Sequence, residues 1–226
     1  MTTKTISKFC LFAALGLASV VLTSAKDDEL KSGESDPKTT DAGVVINGVT
    51  WATRNVDAFG TFAETPESAG MFYQWNRAKA WSATEPAANI AIADWDTTMS
   101  TSPTWEKAND PSPKGWRVPR KDEQDKLFDT EKVTNEWTTQ NGVTGCKFTD
   151  KATGNSLFFP AAGFRRASTG VLYGVGTYGG YRSGTPYGGG RKVGVHAYFV
   201  YFTELTAYVN YDSRRLGFSV RPVLAE

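Results

Sequence analysis

His196-Ala197-Tyr198-Phe199-Val200-Tyr201-Phe202, Ala207-Tyr208-Val209-Asn210-Tyr211 and Gly217-Phe218-Ser219-Val220-Arg221-Pro222-Val223 follow one another near the end of a 226-residue chain. The first two runs are rich in aromatic and β-branched residues and read as apolar strands; the third reads as a last strand. Eight of the nine tyrosines lie between Tyr173 and Tyr211, and none of the seven tryptophans lies beyond Trp137. Tyrosine gives a large contact area at low entropy cost, and glycine and serine let loops adapt around it, which is the composition of a binding surface. Burying eight tyrosines in one stretch would require a partner for every hydroxyl.

Strand alternation selects contacts. With Phe199 and Tyr201 facing inward, His196, Tyr198 and Val200 face outward. With Val209 inward, Tyr208 and Asn210 face outward. The expected ligand contacts are Tyr181, Arg182, Tyr187, His196, Tyr198, Tyr208, Asn210, Tyr211, Asp212 and Ser213. The expected core is Trp51, Trp75, Trp116, Phe158, Phe164, Phe218 and Val220.

Upstream of this region the signals are local. Val44 to Trp51 is two β-favouring runs around Asn47-Gly48, which reads as a hairpin. Thr65-Pro66-Glu67-Ser68 reads as the start of a short helix, with Thr65 as cap and Pro66 at the first position. Residues 94–113 read as a loop pinned by Trp95 and Trp105. Arg120 to Phe128 reads as a helix with Leu127 and Phe128 inward. Asn141-Gly142 and Thr153-Gly154-Asn155 punctuate strands around Cys146–Phe148 and Ser156–Pro160. A stretch with ten glycines between Gly163 and Gly190 follows. Few helices, many short strands and long loops imply an α+β domain whose loops carry its function. There is no internal repeat.

Composition is that of a globular chain, with formal charge +1, which gives no global attraction for nucleic acid. Lys4 and Lys8 precede an uncharged apolar run, Phe9 to Leu22, and the small residues Thr23-Ser24-Ala25. This is the pattern of a secretory signal. The expected organisation is a signal peptide at 1–25, an acidic disordered tether at 26–42 and a folded domain at 43–226, with its ligand-binding region at about 178–221. Cys10 falls in the signal, so Cys146 has no partner for an internal disulfide.

Several chemistries are disfavoured. Gly174-Val175-Gly176-Thr177-Tyr178-Gly179 fits G-x-G-x-x-G, but no helix follows to receive a pyrophosphate. His196 is the only histidine, and it flanks an apolar strand rather than a recognisable nucleophile. A histidine-rich metal site is excluded by count and no cysteine cluster exists. Neither a cofactor nor an enzymatic activity is expected. Arg165, Arg166, Arg182, Arg191, Lys192, Arg214 and Arg215 with interleaved tyrosines could hold phosphates, but a secreted chain makes protein or carbohydrate the better partner.

Five motifs in order resemble one family: Gly48-Val49-Thr50-Trp51-Ala52-Thr53-Arg54-Asn55-Val56, Gly70-Met71-Phe72-Tyr73-Gln74-Trp75, residues 109–119 (Asn-Asp-Pro-Ser-Pro-Lys-Gly-Trp-Arg-Val-Pro), Phe158-Phe159-Pro160-Ala161-Ala162-Gly163-Phe164-Arg165 and the terminal Gly-Phe-Ser-Val-Arg. They resemble the Fibrobacter succinogenes major paralogous domain, common in secreted Bacteroidetes proteins and similar to the C-type lectin-like fold. Where that family carries cysteines, this chain has Ser112 and Pro222, so the disulfide the resemblance implies is missing.

The tail from Gly180 to Val223 is further similar to the variable region of diversity-generating retroelement targets, in which asparagine codons are rewritten at template adenines. Tyr208, Asn210, Tyr211, Asp212 and Ser213 are all reachable in that way. Leu22 to Glu29 resembles a Bacteroides lipoprotein signal with Ala25 in place of the acylated cysteine, so a lipid anchor would require a native cysteine there. The calcium-ligand motifs of calcium-dependent lectins are absent, since Glu85-Pro86-Ala87 lacks a third ligand. Formylglycine-generating enzymes resemble this family distantly, but their paired cysteines have no counterpart. The resemblance implies a secreted or surface-displayed monomer that binds a protein or carbohydrate on another cell, phage or host surface. The alternative is a fixed envelope or pilus-associated adhesion module.

Overall fold

The computed structural model describes residues 36–190 and 194–226. The expected signal peptide, residues 26–35 of the expected tether, Arg191 and Lys192 lie outside them. The domain is built mainly from small antiparallel sheets, with one short α-helix.

The Asn-Gly signal forms its hairpin. β1 (Val44–Ile46) pairs with β2 (Val49–Trp51), and Asn47 and Gly48 both have positive φ, as the tight turn requires. β14 (Val223–Leu224) joins β2 to β5 (Trp116–Arg117), completing a four-stranded sheet. β3 (Met71–Tyr73) pairs with β4 (Ala80–Ser82). β6 (Val133–Gln140), β7 (Val143–Asp150) and β8 (Ser156–Pro160) make a three-stranded meander. β9 (Phe164–Arg165) pairs with β10 (Leu172–Tyr173). β11 (Gly179–Pro186), β12 (His196–Phe202) and β13 (Ala207–Ser213) make the sheet that carries most of the tyrosines.

Helix α1 covers Lys121–Asp125 and runs on into a 3-10 turn at Lys126–Phe128. Its first turn is fixed by Glu123, which accepts the Arg120 N–H at 2.7 Å and ion-pairs with Arg117 at 2.6 Å. Leu127 is fully buried, as its position implied.

Three local expectations are corrected, and two strands that the sequence did not announce are present. Thr65 to Ser68 forms one turn closed by Ser68 N–H on the Thr65 carbonyl, not a helix. The folded part begins before Gly43: the Asp41 carboxylate accepts the Gly43 N–H, the Thr53 N–H and hydroxyl, and Arg54 Nε, holding residues 36–42 on the domain. β6 was hidden by its polar composition, and β11 by its glycines. The run 217–223 is not one regular strand: Gly217, Phe218 and Ser219 make single bridges to Arg165, Tyr73 and Tyr181, and only Val223 enters a ladder. That run therefore stitches several sheets together.

Trp51, Trp75, Phe158, Phe218 and Val220 are buried as expected, while Trp116 and Phe164 are half-buried. The largest core cluster joins Trp51, Phe148, Phe159, Tyr181, Val200 and Phe202. A smaller one packs Phe199, Leu216 and Phe218 on the other side of the tyrosine-bearing sheet. Burial of one large apolar side chain contributes about 1.5–3 kcal/mol, so this aromatic packing dominates the stability. Cys146 is free and buried, and burial pushes its thiol up to about 12.

Candidate functional site: the tyrosine sheet

Directly opposed residues in an antiparallel sheet share a face. The register Tyr181↔Val200↔Val209 and Tyr198↔Tyr211 puts Tyr181, Val200, Val209, Tyr198, Tyr211, His196 and Ser213 on one face. The register Arg182↔Phe199↔Asn210 and Tyr201↔Tyr208 puts Arg182, Phe199, Tyr201, Tyr208, Asn210 and Asp212 on the other.

Both faces are covered at one end, because a core cluster packs on each side. The expected alternation fails for this reason. Val200 was expected outside with Tyr198 and is fully buried. Val209 leans into the main core from the side opposite Phe199, so the Tyr198 set and the Tyr208 set point in opposite directions.

Two expected contacts are corrected. Tyr181 and Arg182 are fully buried. The Tyr181 hydroxyl donates to the Pro160 carbonyl at 2.7 Å, its ring lies 4.5 Å from that of Phe159, and burial raises its phenol pKa. Arg182 places its guanidinium 4.6 Å from the Phe218 ring and donates to the carbonyls of Ser213, Arg214 and Leu216. Burial lowers its pKa to about 9, so it still carries its charge at neutral pH. A buried cation whose direct partners are carbonyl dipoles is an internal strut rather than a ligand contact.

Tyr187, His196, Tyr198, Tyr211 and Ser213 come together at the open end of the first face, each partly exposed. The rings of Tyr187 and Tyr211 stack at 3.9 Å with a 27° tilt, and Tyr198 stands edge-on to both at 5.5 and 6.3 Å. His196 lies 6.1 Å from Tyr211. The hydrogen bond between the two stacked phenols raises the Tyr187 pKa. Lys121, at the start of α1, sits 5.1 Å from the Tyr198 ring, and its N–H donates to the Thr185 hydroxyl at 2.9 Å. The helix thereby fixes the flank of the tyrosine cluster. Nothing in the sequence pointed to Lys121, since its partner is reached only through the fold.

Tyr208, Asn210 and Asp212 lie on the second face. Asn210 Oδ1 accepts the Tyr211 N–H at 2.8 Å, and Asp212 Oδ1 accepts the Ser213 N–H at 2.6 Å. β13 is an edge strand, and these two side chains cap N–H groups along its open side, a device that discourages pairing with other strands. Beside them runs a ladder of rings of which the alternation selected only Tyr208. Tyr173, Phe164, Tyr178, Tyr201 and Tyr208 follow one another at centroid distances of 5.4, 4.8, 5.1 and 5.1 Å. Arg166 lies over Tyr173 at one end. Tyr173 and Tyr208 are exposed, as are Val175 and Leu205 in the adjoining turns.

The arginine set considered for phosphate does not form one surface. Arg165, Arg182 and Arg214 are buried; Arg165 donates to the carbonyls of Ser82, Glu85, Pro86 and Gly170, and Arg214 to those of Ser100 and Ser102. Among the described residues no three His, Cys, Asp or Glu side chains stand together as metal ligands, and no helix is long and apolar enough to cross a membrane. The sheet offers partly exposed aromatic rings on a rigid frame, which suits contact with another molecule.

The chain matches no protein-family model, no curated protein and no solved structure.

Proposed function

We propose that this is a secreted or surface-displayed ligand-binding protein, with a C-type lectin-like domain whose C-terminal face is diversified by a retroelement. The carrying observation is the Tyr187–Tyr198–Tyr211 cluster: three partly exposed rings packed on one another at the open end of a sheet that core clusters cover at its other end. Rings already locked together lose little freedom on binding, which favours them as anchors. The order of the sequence motifs supports the C-type lectin-like reading. The buried positions of Tyr181 and Arg182 narrow the ligand contacts to Tyr187, His196, Tyr198, Tyr211 and Ser213, with Tyr208, Asn210 and Asp212 facing the other way.

A second reading has its own support. The ring ladder from Tyr173 to Tyr208, with exposed Val175 and Leu205 beside it, is an apolar strip of the kind found at protein contacts. It suits a fixed envelope or pilus-associated adhesion module.

The two readings separate by substitution. Immobilised protein is exposed to bacterial cells and phage particles, and retained particles are counted for the parent chain, Tyr198→Ala, Tyr211→Ala and Tyr208→Ala. Loss of capture in Tyr198→Ala and Tyr211→Ala but not Tyr208→Ala supports the first reading. Loss confined to Tyr208→Ala supports the second and overturns the first.

A further inference from the structure

The loop Asp110-Pro111-Ser112-Pro113-Lys114-Gly115-Trp116 takes no part in the tyrosine sheet, yet it walls a surface cleft of about 490 Å3 together with Trp105 and Lys107. That volume lies in the range that holds small organic ligands. Both indoles are half-buried and braced from behind. Trp105 packs edge-on to Trp75 at 5.7 Å and donates its N–H to the Asn109 carbonyl at 3.0 Å. Trp116 packs edge-on to Phe62, also at 5.7 Å. The cleft therefore has two fixed aromatic components.

Its charge is not balanced. Lys107 and Lys114 are exposed along the lining, and neither has a carboxylate within ion-pairing distance among the described residues. Asp110 also lines the cleft, but its carboxylate is tied to the N–H groups of Ser112 and Val118 at 2.9 and 3.0 Å. The Ser112 hydroxyl is buried in the same lining and has no partner. A hydroxyl so enclosed offers nothing to a molecule in the open cleft, which leaves the two indoles and the two lysines as its chemistry.

We propose that this cleft binds a carboxylated pyranose, the uronic- or sialic-acid unit of an acidic glycan. The apolar C–H face of a pyranose matches the electron-rich face of an indole. Lys107 and Lys114 supply the charge for the carboxylate. An aspartate or glutamate side chain offers the charge but no ring face for the tryptophans. A neutral sugar offers the face but leaves both lysines without a counterpart. The site is separate from the tyrosine cluster, so it stands or falls independently of the function proposed above.

The test is a titration of the full chain with trigalacturonic acid and with sialyllactose, followed by tryptophan fluorescence and calorimetry. Maltotriose, lactose and a hexaglutamate peptide serve as comparisons. At least one acidic sugar is expected to bind saturably, with its neutral counterpart about tenfold weaker or more. The double substitution Lys107→Ala, Lys114→Ala is expected to weaken that binding by about tenfold while leaving the thermal midpoint in place, since both side chains are exposed. Tyr211→Ala is expected to leave it unchanged. Absence of saturable binding by both acidic sugars overturns the proposal. So does equal binding of the neutral sugars or of the hexaglutamate peptide, or full retention of binding in the double variant.

Discussion

Tyr187 and Tyr211 are stacked ring on ring at 3.9 Å, although they are 24 residues apart in the chain, and the contact ties the end of β11 to the edge strand β13. Each ring holds the other at the surface in a fixed orientation. Because the pair acts as a unit, Tyr187→Ala and Tyr211→Ala are each expected to reduce ligand capture nearly as much as the double substitution does. Additive losses in the particle-capture assay would show that the two rings work separately.

Arg182 has the opposite character. Its guanidinium is enclosed and satisfies the carbonyls of Ser213, Arg214 and Leu216. Arg182→Ala removes those donors and opens a void beneath Phe218, so a loss of about 3–5 kcal/mol in denaturant unfolding is expected. Binding measured on the remaining folded fraction should be unchanged. A stable Arg182→Ala chain that has lost binding would return Arg182 to the ligand face.

Gly179 and Gly180 sit where rings press on the backbone. A β-carbon at Gly179 would run into the Phe202 ring, and one at Gly180 into the Phe218 ring. Gly179→Ala and Gly180→Ala are each expected to destabilise by about 1–3 kcal/mol through overpacking, read as a lowered denaturant midpoint. Gly188→Ala, where nothing stands within contact distance of the added carbon, is the control and should cost far less.

These glycines also show why part of the fold was not legible in the sequence. β11 lay within a glycine-rich stretch that announced no strand, whereas here its glycines admit aromatic side chains from β12 and from the C-terminal run. β6 reads Val-Thr-Asn-Glu-Trp-Thr-Thr-Gln, too polar to signal a strand, because it lies at the edge of its sheet. By contrast, the Asn47-Gly48 hairpin and the limits of β12 were legible from local chemistry alone. The candidate site was legible as a region but not as a face. Alternation assigns sides only when one side of a sheet meets water, and β12 is buried on both sides around Phe199 and Val200.

Ionisation of the tyrosines provides a check on burial. Burial raises the phenol pKa values of Tyr73, Tyr178 and Tyr181. A raised folded-state value means the stability these groups contribute is complete below the ordinary phenol range, near about pH 10, and is lost as pH rises beyond it. In an alkaline titration followed by tyrosinate absorbance, no more than six of the nine tyrosines should ionise while the chain stays folded. The remaining three should appear only with loss of the near-ultraviolet circular dichroism. Ionisation of all nine in the folded chain would contradict the burial described for Tyr73 and Tyr181.

The central claim, a diversified binding face on a fixed scaffold, is tested most directly by sequencing the 3′ end of the gene and the DNA downstream of it across many cells of the source population. The account predicts an imperfect repeat differing at adenines beside a reverse-transcriptase gene. It also predicts variation at partly exposed codons of the binding face, such as those for Tyr211 and Ser213, with Tyr181, Arg182, Phe199 and Phe202 constant. An invariant tail with no repeat, or variation that falls on the buried Tyr181 and Arg182, would contradict it.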